Sequence, residues 1–206
     1  MKLLLTLTLL ATLLTAGKYD TVKITEDISH IMTYHKGKAT RVHRIQDVKH
    51  QLTGSYAKIS HPCPDMCIQP IKMSPEIETI GEVELIEFMQ DRVNSHKGAI
   101  IDTRPKDDYE TETIPSSISI PFNVSEDDEA MDSIFGALGM KKESDGKWNS
   151  SKAQELVIYC NGLWCSKSSQ FINSMVKRGY PAEKIKYYRG GFQMWKILGF
   201  TTVKSK

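Results

Sequence analysis

The chain has 206 residues, 40% of them hydrophobic and 25% charged, with a formal net charge of +2. That length suits one packed domain with a sizeable extension better than two full domains. Charges of both signs are interspersed, which excludes the basic surface that nucleic acid or an acidic membrane would select. Lys2 is followed by an apolar run over residues 3–14 and then by Thr15, Ala16 and Gly17. A charged start, a short apolar stretch and a small-residue exit predict a secretory signal peptide over residues 1–17. The run falls short of the ~20 residues of a membrane span, and no later stretch is apolar enough to span once the signal is removed. Export is expected, with the periplasm as the compartment.

Residues 18–75 form an extension of irregular pattern, with a short strand expected near 39–45. His30, His35, His43, His50 and His61 fall here at no metal-ligand spacing and read as solvated surface side chains. Cys63 stands between Pro62 and Pro64, so it lies in neither a helix interior nor a regular strand. A disulfide between Cys63 and Cys67 is expected, since an even cysteine count in an exported chain favours bridging.

From residue 76 the pattern becomes that of a folded domain reaching to 206. Val83, Ile86, Met89 and Val93 recur at helical spacing, and Gly98 follows. Residues 99–101 form an apolar run ending in Asp102, which reads as a buried parallel strand. A second strand is expected over 117–121. A helix is expected over 126–140, with Met131, Ile134, Phe135 and Leu138 on one face, and a polar loop over 141–151. Residues 156–159 are the most strand-like run and deliver Cys160. A helix from about Ser166 turns Phe171, Ile172, Met175 and Val176 inward and ends at Gly179 and Pro181. A strand over 185–188 and a helix over 191–198 complete the chain. Alternating strands and helices predict an α/β fold with a parallel sheet covered by helices on both faces.

Ligands of such sheets bind beyond the carboxyl ends of the strands. Cys160 stands there, followed by Asn161, Gly162, Leu163, Trp164, Cys165 and Ser166 as the loop into the next helix. A helix start offers unpaired N–H groups and a partial positive charge, which lower a thiol pKa. Local sequence leaves two readings of Cys160 open, an activated nucleophile and a buried structural cysteine.

The run 101–109, beginning Ile101-Asp102-Thr103-Arg104-Pro105, continues into 114–121 and resembles the opening motif of the rhodanese family. Tyr159-Cys160 and Tyr188-Arg189-Gly190-Gly191-Phe192-Gln193-Met194-Trp195 are similar to its active-site strand and closing motif. The resemblance spans about the C-terminal half. It implies a rhodanese-like fold and a sulfurtransferase carrying sulfane sulfur on a Cys160 persulfide. It further implies a thiosulfate-like or polysulfide-like donor, a thiol acceptor, and no cofactor. Asp102 and Arg104 are expected as a structural charge pair near the loop, and Gly190-Gly191 as a turn that lets the backbone pass beneath it. This chain has Glu112-Thr113 where the family often has Gly-His, and Cys165 where an arginine is common. The first cation after Cys160 is Lys167. Without a loop cation, the phosphatases that share this fold are disfavoured, because they clamp phosphate with arginine.

Two other functions compete. Cys160 and Cys165 are also expected as a thiol–disulfide redox pair, or with Cys165 as a resolving thiol. Cys63 and Cys67 would then be the less favoured redox partner of that pair. A catalytically silent binding module is the third. Zinc held by all four cysteines is not expected, because the spacings Cx3C and Cx4C are unlike zinc ribbons.

Overall fold

A computed structural model describes residues 21–63 and 67–206. The expected signal peptide lies outside the described residues. No helix among the described residues is long and apolar enough to cross a membrane.

Among the described residues, the first strands form an antiparallel hairpin, β1 (His30–His35) and β2 (Lys38–His43). It continues through β3 (Glu78–Ile80), α1 (Glu82–Phe88), β4 (Gly98–Asp102), α2 (Lys106–Thr111) and β5 (Ser117–Ser119). Then come α3 (Asp128–Ala137), the short pair β6 (Lys141–Lys142) and β7 (Trp148–Asn149), and β8 (Glu155–Tyr159). The last elements are α4 (Lys167–Lys177), β9 (Ile185–Tyr188) and α5 (Gly191–Ile197). β3, β9, β8, β4 and β5 lie side by side in that order as one parallel sheet.

Both faces of this sheet are buried, which explains the continuous apolar runs of its middle strands. Successive side chains point to opposite faces. Ile101, Leu156, Ile158 and Ile185 meet Met131 and Phe135 of α3 and Phe171, Ile172 and Met175 of α4. Ile100, Val157, Tyr159 and Tyr188 meet Leu85 and Ile86 of α1 and Phe192 and Trp195 of α5. Each such apolar side chain, fully withdrawn from water, contributes roughly 1.5–3 kcal/mol. α4 ends at Gly179, whose φ of +101° suits the left-handed position past a helix end.

Several expectations need correction. The strand expected near 39–45 is one arm of the hairpin, and its partner β1 carries polar residues inward. Thr33 and His35 are buried, and His35 Nε2 meets Ser205 Oγ at 2.7 Å, so His35 is no surface histidine. The Lys36-Gly37 turn takes positive φ at both residues, as two-residue hairpins prefer. Ile31 and Val42 enter the second core, so the extension is built into the domain. Ile86 and Met89 face inward as expected, Leu85 and Phe88 join them, and Val83 is exposed. A single π turn over Met89–Val93 shifts the register that a regular helix would keep, with Asn94 N–H bonding to Met89 O at 3.0 Å. The expected loop 141–151 holds the β6–β7 pair. β3 and α2 were not expected at all.

Candidate active site

β8 is flanked by β4 and β9, so its carboxyl end opens at the middle of the sheet. Thr103 fixes the exit of the strand, bonding to Tyr159 O through its N–H at 3.0 Å and its hydroxyl at 2.7 Å. Cys160 follows at once. The start of α5 then braces the loop from below. Phe192 N–H donates to Cys160 O at 2.9 Å, and Gln193 N–H to Asn161 O at 2.8 Å. This approach requires Gly191. Its φ is +60°, and a Cβ there would stand 2.5 Å from Cys160 O.

Cys160 and Cys165 are brought together as unbonded, buried thiols, each 2% exposed. Each thiol shifts the titration of the other, and the Asn161 N–H favours the charged form of both. The Lys167 N–H, at the start of α4, is directed at Cys165. The two sulfurs therefore titrate as one dithiol, giving up one proton readily and holding the other. The hydrogen bond from Cys160, with the two N–H groups and the Lys167 charge, offsets burial and pulls Cys165 down to about 6. Burial, and then the hydrogen bond and charge of Cys165, push Cys160 well up. Within this dithiol the downward pull falls on Cys165, which lies nearer the start of α4, and the upward push on Cys160.

Asp102 and Arg104 form a fully buried pair beneath the loop, 2.6 Å apart. Asp102 Oδ1 accepts from Arg104 N and Nε, both at 3.0 Å. Its Oδ2 accepts from Thr113 Oγ1 and the Tyr159 hydroxyl, both at 2.8 Å. Thr113 therefore completes the carboxylate's bonding. Burial acts to lower the Arg104 pKa, but Asp102 more than offsets this and leaves it raised. Arg104 also donates to Glu112 O and to the Tyr56 hydroxyl, and its guanidinium lies 3.9 Å from the Phe192 ring centre. The Tyr56 hydroxyl in turn donates to Asn161 Oδ1 at 2.9 Å. Burial holds this phenol neutral, with a pKa of about 12, against the opposing pull of Arg104. A continuous bonded path thus runs from Asp102 to the loop.

The extension roofs the same loop, which local sequence gave no means to foresee. His61 stacks on Trp164 with ring centres 3.8 Å apart. Gln69 N–H donates to Leu163 O at 2.8 Å. Gln193 bridges Trp164 Nε1 and Tyr56 O, both at 2.9 Å. Cys63 and Cys67 are joined by a disulfide, with Cα atoms 5.2 Å apart. They line a groove of about 810 Å³ together with Leu163, Trp164 and His61. A second hollow of about 430 Å³, bordered by Asp108 and Asn161, lies against the same His61–Trp164 stack. Lys167 adds no charge to either hollow, since its Nζ lies over the Phe122 ring. Among the described residues, no three His, Cys, Asp or Glu side chains gather as a metal-binding group.

A family model for the rhodanese-like domain matches residues 85–198. The chain belongs to the rhodanese-like domain family. No curated protein matches it. Solved structures with a similar chain path include a rhodanese with anions from E. coli, at 20% identity and a TM-score of 0.33. That match covers 52% of this chain and 99% of the other. A rhodanese-related protein from Thermoplasma volcanium matches at 16% identity and a TM-score of 0.42, over 62% and 99% of the two chains. A Rhodopseudomonas palustris protein, described as a possible tyrosine phosphatase, matches at 20% identity and a TM-score of 0.42. It covers 68% of this chain and 98% of its own. Membership of the rhodanese-like family supports a sulfurtransferase-like or related function in general.

Proposed function

We propose that this protein is an exported, periplasmic sulfurtransferase that carries sulfane sulfur as a persulfide on Cys160. The observation that carries this reading is the contact between two buried, unbonded cysteines, Cys160 and Cys165, on the loop that leaves β8 of a rhodanese-like domain. Cys165 takes the Cys160 proton along their shared hydrogen bond. The Cys160 sulfur then attacks the outer sulfur of a persulfide or polysulfide donor, and the donor leaves as a thiolate. An acceptor thiolate attacks the outer sulfur on Cys160, and Cys160 leaves with its electron pair. With no cation from Cys160 to Ser166, a polysulfide-like donor fits better than the doubly charged thiosulfate.

The same contact favours a second reading, thiol–disulfide exchange by Cys160 and Cys165. Mass spectrometry after incubation with a polysulfide separates the two. Gain of one sulfur atom on Cys160, passed on to an added thiol, supports sulfur transfer. A Cys160–Cys165 disulfide with no persulfide at any time supports exchange. Two unmodified thiols throughout would leave a binding module.

A further inference from the structure

We propose that the Cys63–Cys67 disulfide is the internal oxidant of the loop dithiol, so that one chain holds a complete thiol–disulfide relay. This goes beyond sulfur transfer and does not rest on it. The disulfide lies in a segment pinned to the loop on both sides. Two residues before Cys63, His61 stacks on Trp164. Two residues after Cys67, Gln69 N–H bonds to Leu163 O, and its side chain accepts from Ser169 Oγ at 3.1 Å in α4. Gln69 Nε2 also donates to Cys67 O at 2.8 Å, and Arg189 holds Gln69 O from Nε and Nη2 at 2.8 and 2.6 Å. The contacted loop residues, Leu163 and Trp164, immediately precede Cys165. The disulfide therefore lines a groove whose opposite wall is formed by Leu163 and Trp164, the two residues before Cys165. Cys63 is exposed whereas both loop sulfurs are buried, so the relay has a wet end and a dry end.

The exchange closes within the molecule. Lifting Trp164 from His61 frees the Cys165 thiolate to attack Cys67 Sγ. The Cys63–Cys67 bond breaks, and Cys63 leaves as a thiolate that takes the Cys160 proton. Cys160 sulfur then attacks Cys165 Sγ, and Cys67 leaves as a thiolate. The loop pair has been oxidised by two electrons and the extension pair reduced by two. One proton and one negative charge have moved from the inner pair to the outer.

The test uses the full mature chain without added oxidant, in anaerobic buffer at pH 8, followed by acid quench, alkylation and peptide mapping. In wild type, a Cys160–Cys165 disulfide should appear as the Cys63–Cys67 disulfide declines, at a rate independent of protein concentration. In Cys160→Ser the resolving sulfur is missing, so a mixed disulfide from Cys165 to Cys67 should accumulate, on the order of tenfold above wild type. Circular dichroism confirms that the variant is folded. A Cys63–Cys67 disulfide that persists in wild type and in folded Cys160→Ser would overturn the relay. So would cross-links found only between chains. Sulfur transfer is not among the readouts, so its failure leaves this result intact.

Discussion

The segment around Cys63 and Cys67 and the loop from Cys160 to Cys165 each hold two cysteines at nearly the same spacing. One pair is a disulfide at an exposed edge, and the other is a buried dithiol. The difference lies in what surrounds them. The loop is braced from below by N–H groups of α5 and held laterally by the path from Asp102 through Arg104 and Tyr56 to Asn161. Its second sulfur faces the start of α4, so a negative charge is favoured there by backbone N–H groups and the Lys167 charge. The extension segment has no core of its own and is held by a stacked ring, a few backbone bonds and its disulfide. Reactivity here is thus a property of the scaffold around a sulfur rather than of cysteine spacing.

The largest effect expected from that contrast belongs to the inner pair. Cys160→Ser should lower sulfur transfer by on the order of 10³-fold or more, as loss of a nucleophile does. Turnover measured with a polysulfide donor checks this, and activity within tenfold of wild type would move the nucleophile elsewhere. Next comes the buried pair that anchors the loop. Arg104→Met leaves the Asp102 carboxylate without its cation and should destabilise the fold by about 3–5 kcal/mol. A fall in melting temperature on the order of 10 °C in calorimetry is the expected sign. A change of under 2 °C would show that Thr113 and Tyr159 suffice for Asp102.

The inner region was far more legible in sequence than the outer. The strands ending at Asp102 and Tyr159 were readable because strands buried on both faces need unbroken apolar runs. The turn at Gly191 followed from paired glycines before an aromatic helix start. Strand-to-helix order does not say which residue of the loop meets the first N–H of α4, so the pull of Lys167 on Cys165 was not legible. In the extension, β1 hides its buried face behind Thr33 and His35, whose partners lie in distant chain around Ser116 and Ser205. Tyr56, His61 and Gln69 become site residues through contacts with the loop and α4 about 100 positions away. No local pattern carries such pairings.

Removing Cys165 should cost less than removing Cys160. Cys165→Ser takes away the base, for a fall of about 10²-fold near neutral pH. Activity should recover as pH rises, with the inflection moving from about 6 in wild type to above the ordinary thiol value near 8.5. Stability carries the matching sign. A depressed Cys165 stabilises the fold above about pH 8.5, and this is lost as pH falls through 6. Cys160, pushed up, does the reverse, stabilising below about pH 8.5 and losing that contribution as pH rises through its folded value. Urea denaturation across pH 5–10 should show the rise from pH 6 in wild type and lose it in Cys165→Ser. An unchanged profile in the variant would mean that the low pKa belongs to Cys160.

The smallest effect should come from Tyr187, on the strand beside β8. Its hydroxyl is buried without a hydrogen bond of normal geometry, although Ser168 lies beside it. Burial pushes the phenol up to about 12, and the neighbouring charges of Cys160 and Cys165 act in the same direction. It is therefore a neutral donor near a site where negative charge is carried on sulfur. If the phenol donates to an outer sulfur on Cys160, Tyr187→Phe should weaken the persulfide by about 1.5 kcal/mol, the low end for a hydrogen bond to a charged group. That appears as a faster loss of sulfur from loaded protein, by about tenfold, with the melting temperature unchanged or slightly raised. The rise is allowed because an unsatisfied buried hydroxyl costs free energy in the unloaded state. Equal decay in both proteins would confine Tyr187 to packing against Phe171 and Ile172, and would leave the Asn161 N–H as the donor that serves the anion.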